Sequence, residues 1–434
     1  MDIRPVKIYS GEDSPRLRYI AGIILGDILG LSWEFTSDRR KLGKHNVINY
    51  SDEDIKGSFR IGPASILFET GILEKELSVI KWKGLPVFFP SPDGSDIPFD
   101  IFAASFYLVT RYEEYCSFEP DEFGRFSAAS SLACRNGFLE LPVVELWAKE
   151  LSKQLLKKFP TLVFKRNEFS SLVTFDADEP FEYLGRSLMQ SLGGLLQDLT
   201  KNNRHVSDRY QTVAKGRPDP FEVFGYISEC IDRHEAASRF FFPVGDRSKY
   251  DQNPSWKNEQ YRSLMRRLSA KYDFGIHPSF SASTNPAILA KEIQRLKVIL
   301  EKSAMSSRFH YVRLKLPVSY NNLIESGISE DYSMGYSDEP GFRAGINRPY
   351  KFYDVLNDVE TNLRIVPFMF MDVTLYRNKK LDAQASQEVI LKLMNESRRV
   401  GGLFVSIWHN TTLLDNTECR PWRKVFETML AEMK

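Results

Sequence analysis

The stretch "SLVTFDADEPFEY" (residues 171–183) runs β-prone and apolar residues straight into three acids, Asp176, Asp178 and Glu179. Carboxylates crowded at a strand end raise one another's pKa unless something positive sits among them. Asp176 and Asp178 are two apart, so on a regular strand they face the same side. A metal ion, an arginine or plain solvent could each relieve the repulsion.

The pattern downstream gives the setting. Strand candidates recur as "SRFFFPVGD" (238–246), "YDFGIHPSF" (272–280), "SSRFHYVRL" (306–314), "GISEDYSMG" (327–335), "RIVPFMFMDVTL" (364–375) and "GLFVSIWHN" (402–410). Helical patterns at 183–199, 221–235, 257–270, 285–302 and 384–398 separate most of them. Strands alternating with helices imply βαβ units and a parallel sheet. The α/β pattern predicts a (β/α)7-type deformed TIM-like barrel over residues 166–434, whose active site lies at the carboxyl ends of the strands. Those ends carry Asp176 and Asp178, Asp246, His277, Arg308 and His310, Asp331, Asp372 and His409. The triple Phe240–Phe242 reads as a buried strand.

The chain has 6 histidines, and three of them (His277, His310, His409) fall at these ends. Imidazole and carboxylate together suit Zn²⁺ or a similar divalent ion with a position left open. One of the two aspartates would ligate the ion and the other would reach an attacking water as general base. The competing reading is an Asp-rich loop that caps the helix starting near Tyr183.

Residues 1–165 form a separate, smaller α+β domain of unknown role, with the boundary in the basic segment 156–169. Ser14 as cap, Pro15 at the first position and apolar residues at helical spacing predict a helix there. A second helix is expected within 97–115, and "SILFET" (65–70) and "LPVFFP" (85–90) read as short strands. The segment "FEPDEFGRFS" (118–127) is turn-rich, and "RYEEY" (111–115) reads as a solvated helix end.

Charge and composition exclude some functions. Lys and Arg number 58 against 57 Asp and Glu, a net charge of +1, so nucleic-acid binding has little electrostatic support. The apolar run "YIAGIILGDILGL" (19–31) carries Asp27 and is too short to span a bilayer, and no secretory pattern precedes it. The 4 cysteines make no CxxC pair and read as reduced thiols, so a cytoplasmic location is expected.

The motifs "VTFDAD", "RFFFPVGD", "GIHPS", "SRFHY" and "FVSIWHN", in this order, resemble those of the polysaccharide deacetylase superfamily (NodB homology, carbohydrate esterase family 4 in the broad sense). The resemblance covers roughly residues 168–434, including a "GFRAG" loop at 341–345. It implies a metal-dependent hydrolase that removes an N-acetyl or other N-acyl group from an amino sugar of a glycan or glycolipid precursor. It implies Asp176 as general base, Arg308 as its orienting arginine, Asp178 and His277 as metal ligands, and His409 as general acid, with Asp372 as the acid partnering it. The family's second motif usually holds two histidines four apart, but Ser281 stands at that spacing here. Either His310 supplies the third ligand, or the ion is held more weakly, or there is none. Substrate contacts are expected from Asp246, from Arg343 and Arg348 in the loop "DEPGFRAGINRPY" (338–350), and from Trp408, which could equally pack inside. Two rivals stand beside this reading: an inactive carbohydrate-binding protein on the same scaffold, and a metal-free glycosidase using Asp178 and Asp331.

Overall fold

The structure, a computed structural model, describes residues 5–184 and 203–434. The helical pattern at 183–199 lies almost wholly outside the described residues.

In the N-terminal part, strands β1 (Val6–Tyr9), β2 (Trp33–Thr36), β3 (Val47–Asn49) and β4 (Phe59–Arg60) make a parallel sheet in the order β2-β1-β3-β4. The helix Pro15–Ala21 begins as its sequence predicts, with the Ser14 side chain accepting from the Leu17 amide. The helix Ile101–Val109 is capped by Asp100, which accepts from the amides of Phe102 and Ala103. "LPVFFP" contributes β6 (Leu85–Val87), antiparallel to β5 (Ile80–Trp82). "SILFET" is not a strand but a short helical turn at Ser65–Leu67. Its backbone is engaged by side chains instead of a ladder: the Ala64 amide donates to Asp100 (2.8 Å), and the Leu67 carbonyl accepts from Ser14 Oγ.

The remaining strands are β7 (Ser170–Asp176), β8 (Ser238–Phe242), β9 (Asp273–Ile276), β10 (Ser306–Ser307), β11 (Glu330–Asp331), β12 (Tyr350–Asp354), β13 (Val359–Ile365), β14 (Phe370–Met371) and β15 (Leu403–His409). They form one sheet in the order β12-β13-β11-β10-β9-β8-β7-β15-β14, parallel throughout except for the β12/β13 hairpin. Helices at Phe224–His234, Glu259–Ser269, Pro286–Leu300 and Ala383–Val400 lie between strands as their periodicity predicts. The seven expected parallel strands are present, but among the described residues no ladder joins β14 to β11, so the sheet is not closed into a ring by strand pairing. The segment 364–375 is split between β13 and β14, with Pro367, which has no N–H to give a ladder, between them.

Parallel pairing brings the carboxyl ends to one edge in register. Asp176 lies opposite His409 on β15 and opposite Phe241 on β8. Phe240, Phe241 and Phe242 are fully buried, and Phe175 stacks on Phe240 at 4.8 Å.

The loop 338–350 packs against the N-terminal domain. A Cβ on Gly341 (φ +145°) would lie 2.6 Å from the Leu139 carbonyl oxygen, and one on Gly345 (φ +64°) 2.8 Å from Leu108. Only glycine permits that approach.

Candidate active site

Asp176 closes β7, and the Ala177 amide continues the ladder by donating to the Phe241 carbonyl (3.1 Å). Arg308, just past β10 and wholly buried, donates from Nη1 to Asp176 Oδ1 (2.8 Å) and from Nε to the Tyr332 carbonyl (3.1 Å). The Phe241 ring lies 4.3 Å from its guanidinium carbon. An arginine thus balances the charge of Asp176.

Asp178 faces three imidazoles. His277 Nε2 is 3.1 Å from its Oδ1, while His310 Nε2 and His409 Nε2 are 3.4 and 3.6 Å from its Oδ2. The backbone carbonyl of Arg308 lies 2.6 Å from His277 Nδ1 and can only accept. Neutral His277 therefore carries its proton on Nδ1 and turns a lone pair toward Asp178. Two acceptors 3.1 Å apart then face one another, and both are buried atoms with no hydrogen-bond partner. Such a pair calls for a cation. The ligand atoms of Asp178, His277 and His310 lie within 4.8 Å of one another, a carboxylate–imidazole set that fits Zn²⁺. Burial works against ionised Asp178, but the charge on His310 outweighs it and holds the carboxyl well below its usual range.

His310 is fixed by a residue that the periodic patterns do not disclose. Asp251, in the loop after β8, accepts from His310 Nδ1 (2.9 Å) and from the Phe280 amide (3.0 Å). A carboxylate behind a ligating histidine sets its tautomer and raises its basicity. Burial opposes the charged imidazolium, yet Asp178 and Asp251 together push His310 up to about 10. Ser281, by contrast, is exposed and does not line the pocket.

Opposite, Asp372 holds His409. Its Oδ1 is 2.7 Å from His409 Nδ1, and its Oδ2 accepts the His409 backbone amide at 2.8 Å. Burial lowers the imidazole's pKa, but Asp372, then Asp178 and Asp176, raise it to about 9. A cation at Asp178 would cancel that carboxylate's share and leave the share of Asp372. Asp372→Asn should therefore let His409 lose its proton at lower pH, moving the basic limb of the pH–rate profile down. An unmoved limb in an active variant would show that the two are uncoupled.

Asp176, Asp178, His277, His310 and His409 line a pocket of about 380 Å³ with Tyr250, Tyr311, Asn253, Arg377 and Asn410. Glu122, Phe123 and Arg125 of the N-terminal domain also line it, which the turn-rich reading of 118–127 did not anticipate.

Four expected substrate contacts fall elsewhere. Arg343 is buried, and its guanidinium forks onto Glu114 (Nη2–Oε2 2.7 Å, Nε–Oε1 2.9 Å). Arg348 pairs with Glu145 (3.3 Å) and donates to the Asp27 carbonyl (2.9 Å). Both guanidiniums satisfy acids or carbonyls of the N-terminal domain instead of opening to a glycan, and "RYEEY" is an interior junction with Glu113 and Glu114 buried, not a solvated end. Trp408 is fully buried against Phe426 and Phe370, because alternation along β15 turns it away from the side that His409 faces. Asp246 is exposed, bonds Lys291 (2.9 Å) and Arg295 (2.6 Å), and lines a neighbouring pocket with Trp256. Asp331, the second acid a glycosidase would need, is buried outside the main pocket, accepts from Ser333 and is pushed by burial up to about 7.

Residues 6–160 match a model described as a family of unknown function (DUF7033). No curated protein matches the chain. Among solved structures, a "putative polysaccharide deacetylase" from Mycobacterium smegmatis aligns at 13% identity over 62% of this chain and 87% of its own, with a TM-score of 0.41. A "CE4 family pseudoenzyme" from Bacillus anthracis aligns at 7% identity over 62% of each chain (TM-score 0.32). A "putative glycoside hydrolase/deacetylase" from Parabacteroides distasonis aligns at 10% identity over 61% of this chain and 66% of its own (TM-score 0.36). With TM-scores this low, none of these likenesses bears on the chemistry of the site. No helix among the described residues is long and apolar enough to cross a membrane.

Proposed function

We propose that the chain is a metal-dependent amidohydrolase that removes an N-acyl group, acetyl in the simplest case, from an amino sugar of a glycan or glycolipid precursor. One observation supports the chemistry: Asp176 paired with buried Arg308, and His409 paired with buried Asp372, stand beside Asp178, His277 and His310. The order of the sequence motifs supports the choice of substrate.

Asp178, His277 and His310 would hold the divalent ion, with Zn²⁺ the best match to the donor set. When bound, such an ion supplies Lewis-acid polarisation of the amide carbonyl and eases ionisation of water. Asp176 accepts the proton of the attacking water. Its Oδ1 is occupied by Arg308, which leaves Oδ2 as the basic atom. His409 protonates the departing nitrogen from Nε2, since Asp372 fixes the proton on Nδ1 and favours the imidazolium. The test is acetate release from N-acetylated amino-sugar oligomers by the purified chain with Zn²⁺ added back. Release by the wild type and none by Asp176→Asn is the expected result. Zn²⁺-loaded protein that binds such oligomers without releasing acetate would make it a binding protein.

A further inference from the structure

The turn that carries His310 is strained. Tyr311 and Val312, the two residues after it, both have left-handed backbone conformations (φ +59° and +53°). That region is unfavourable for any side chain and is a clear outlier for a β-branched valine. Such conformations persist where surrounding contacts over-determine them. Tyr250 and Phe280 supply some of these contacts from the sheet side, and the N-terminal domain supplies others. Arg125 Nη1 donates to the Tyr311 carbonyl (2.5 Å), and in return Arg313 Nε donates to the Phe123 carbonyl (3.0 Å). Phe123 packs on Tyr311 with ring centroids 4.9 Å apart, and Tyr311 in turn packs on His310 at 4.6 Å.

The clamp is itself braced. Asp121 accepts from the Phe123 and Arg125 amides through Oδ1 (3.0 and 2.8 Å) and from Arg125 Nε and Nη2 through Oδ2 (2.8 and 2.7 Å). Arg125 is thus held in one orientation by a two-pronged carboxylate contact, with a third nitrogen left for Tyr311. Glu122, Phe123 and Arg125 also form part of the pocket wall.

We infer that the Asp121–Arg125 loop of the N-terminal domain is part of the active site, with Arg125 a positioning residue that holds the His310 turn in its ligating geometry. The inference rests on the proposed metal-dependent reading. It gives the N-terminal domain a share in the site: Asp251 fixes the His310 ring from the sheet side, and Arg125 holds the backbone turn behind it.

The test is Zn²⁺ affinity of the full chain, measured by competition with a chromogenic chelator. Arg125→Ala should weaken Zn²⁺ binding about 10- to 100-fold, the range typical for losing support behind a ligand. Arg125→Lys, which keeps a donor for the Tyr311 carbonyl, should recover most of that loss. Asp121→Asn, a gentler change that keeps the loop's amide contacts, should weaken binding in the same direction by a smaller factor. Glu119→Ala, an exposed change nearby, should have no effect. Wild-type affinity in folded Arg125→Ala and Asp121→Asn, or an equal loss in Glu119→Ala, would overturn the inference while leaving the proposed function standing. A wild-type chain that binds no Zn²⁺ would overturn both.

Discussion

Asp176→Asn is expected to cut turnover about 10²- to 10⁴-fold while leaving Zn²⁺ binding and the fold intact. The asparagine oxygen can still accept from Arg308 at the site of the present 2.8 Å contact. What is lost is the capacity of the second oxygen to take a proton from water. KM should change far less than kcat, because the change removes an interaction made in the transition state and not in binding. Steady-state kinetics on an N-acetylated oligomer, together with metal content, check this. A variant with near-normal kcat would remove Asp176 from the chemistry.

Glu114→Ala should produce the largest loss of stability. Glu114 is buried and accepts from Arg343 (2.7 and 2.9 Å) and from Arg111 (2.7 Å), where the N-terminal domain meets the 338–350 loop. Arg111 would retain Glu113 (2.8 Å), but Arg343 would keep only the Gly335 carbonyl (2.9 Å) and the Tyr336 ring (4.9 Å). Removing one partner from a buried ion pair costs about 3–5 kcal/mol, since the remaining charge stays desolvated. Burial pushes the Glu114 carboxyl up, but Arg343 and Arg111 outweigh it and hold it below the usual range. Its stabilisation is therefore complete above the pKa of the unfolded chain and fades only as pH falls through the depressed folded value. The deficit of the variant should be constant near neutrality and shrink in acid. Chemical denaturation across pH measures it. Unchanged stability in Glu114→Ala, with Arg343→Ala raising KM alone, would return Arg343 to the substrate.

The site was readable where a local pattern carried it. Strands such as β7, β8 and β15 carry short apolar runs, and ionisable residues at the strand ends mark the carboxyl edge, so Asp176, Asp178, His277, Arg308, His310, Asp372 and His409 could be named from sequence and come together in the structure. The same rule misplaced Asp246, whose strand end leads into a loop that carries it outward to Lys291 and Arg295. Asp251, five residues further on, turns inward instead, and no periodicity distinguishes the two. The outward turn of Trp408 was legible, since His409 and Trp408 are adjacent on a strand and only one of them can face the pocket. The fates of Arg343 and Arg348 were not, because their partners Glu114 and Glu145 belong to a domain distant in sequence. Loop 118–127 was hidden for the same reason: its place beside the pocket depends on the strained turn it meets, a property of neither segment alone.

The central claim is that an ion sits among Asp178, His277 and His310. Anomalous X-ray scattering at the zinc edge, from crystals grown with Zn²⁺, tests it directly. The account predicts one strong peak bounded by those three side chains, absent in Asp178→Ala crystals grown alike. No peak there, or a peak held by other residues while acetate release persists, would contradict it.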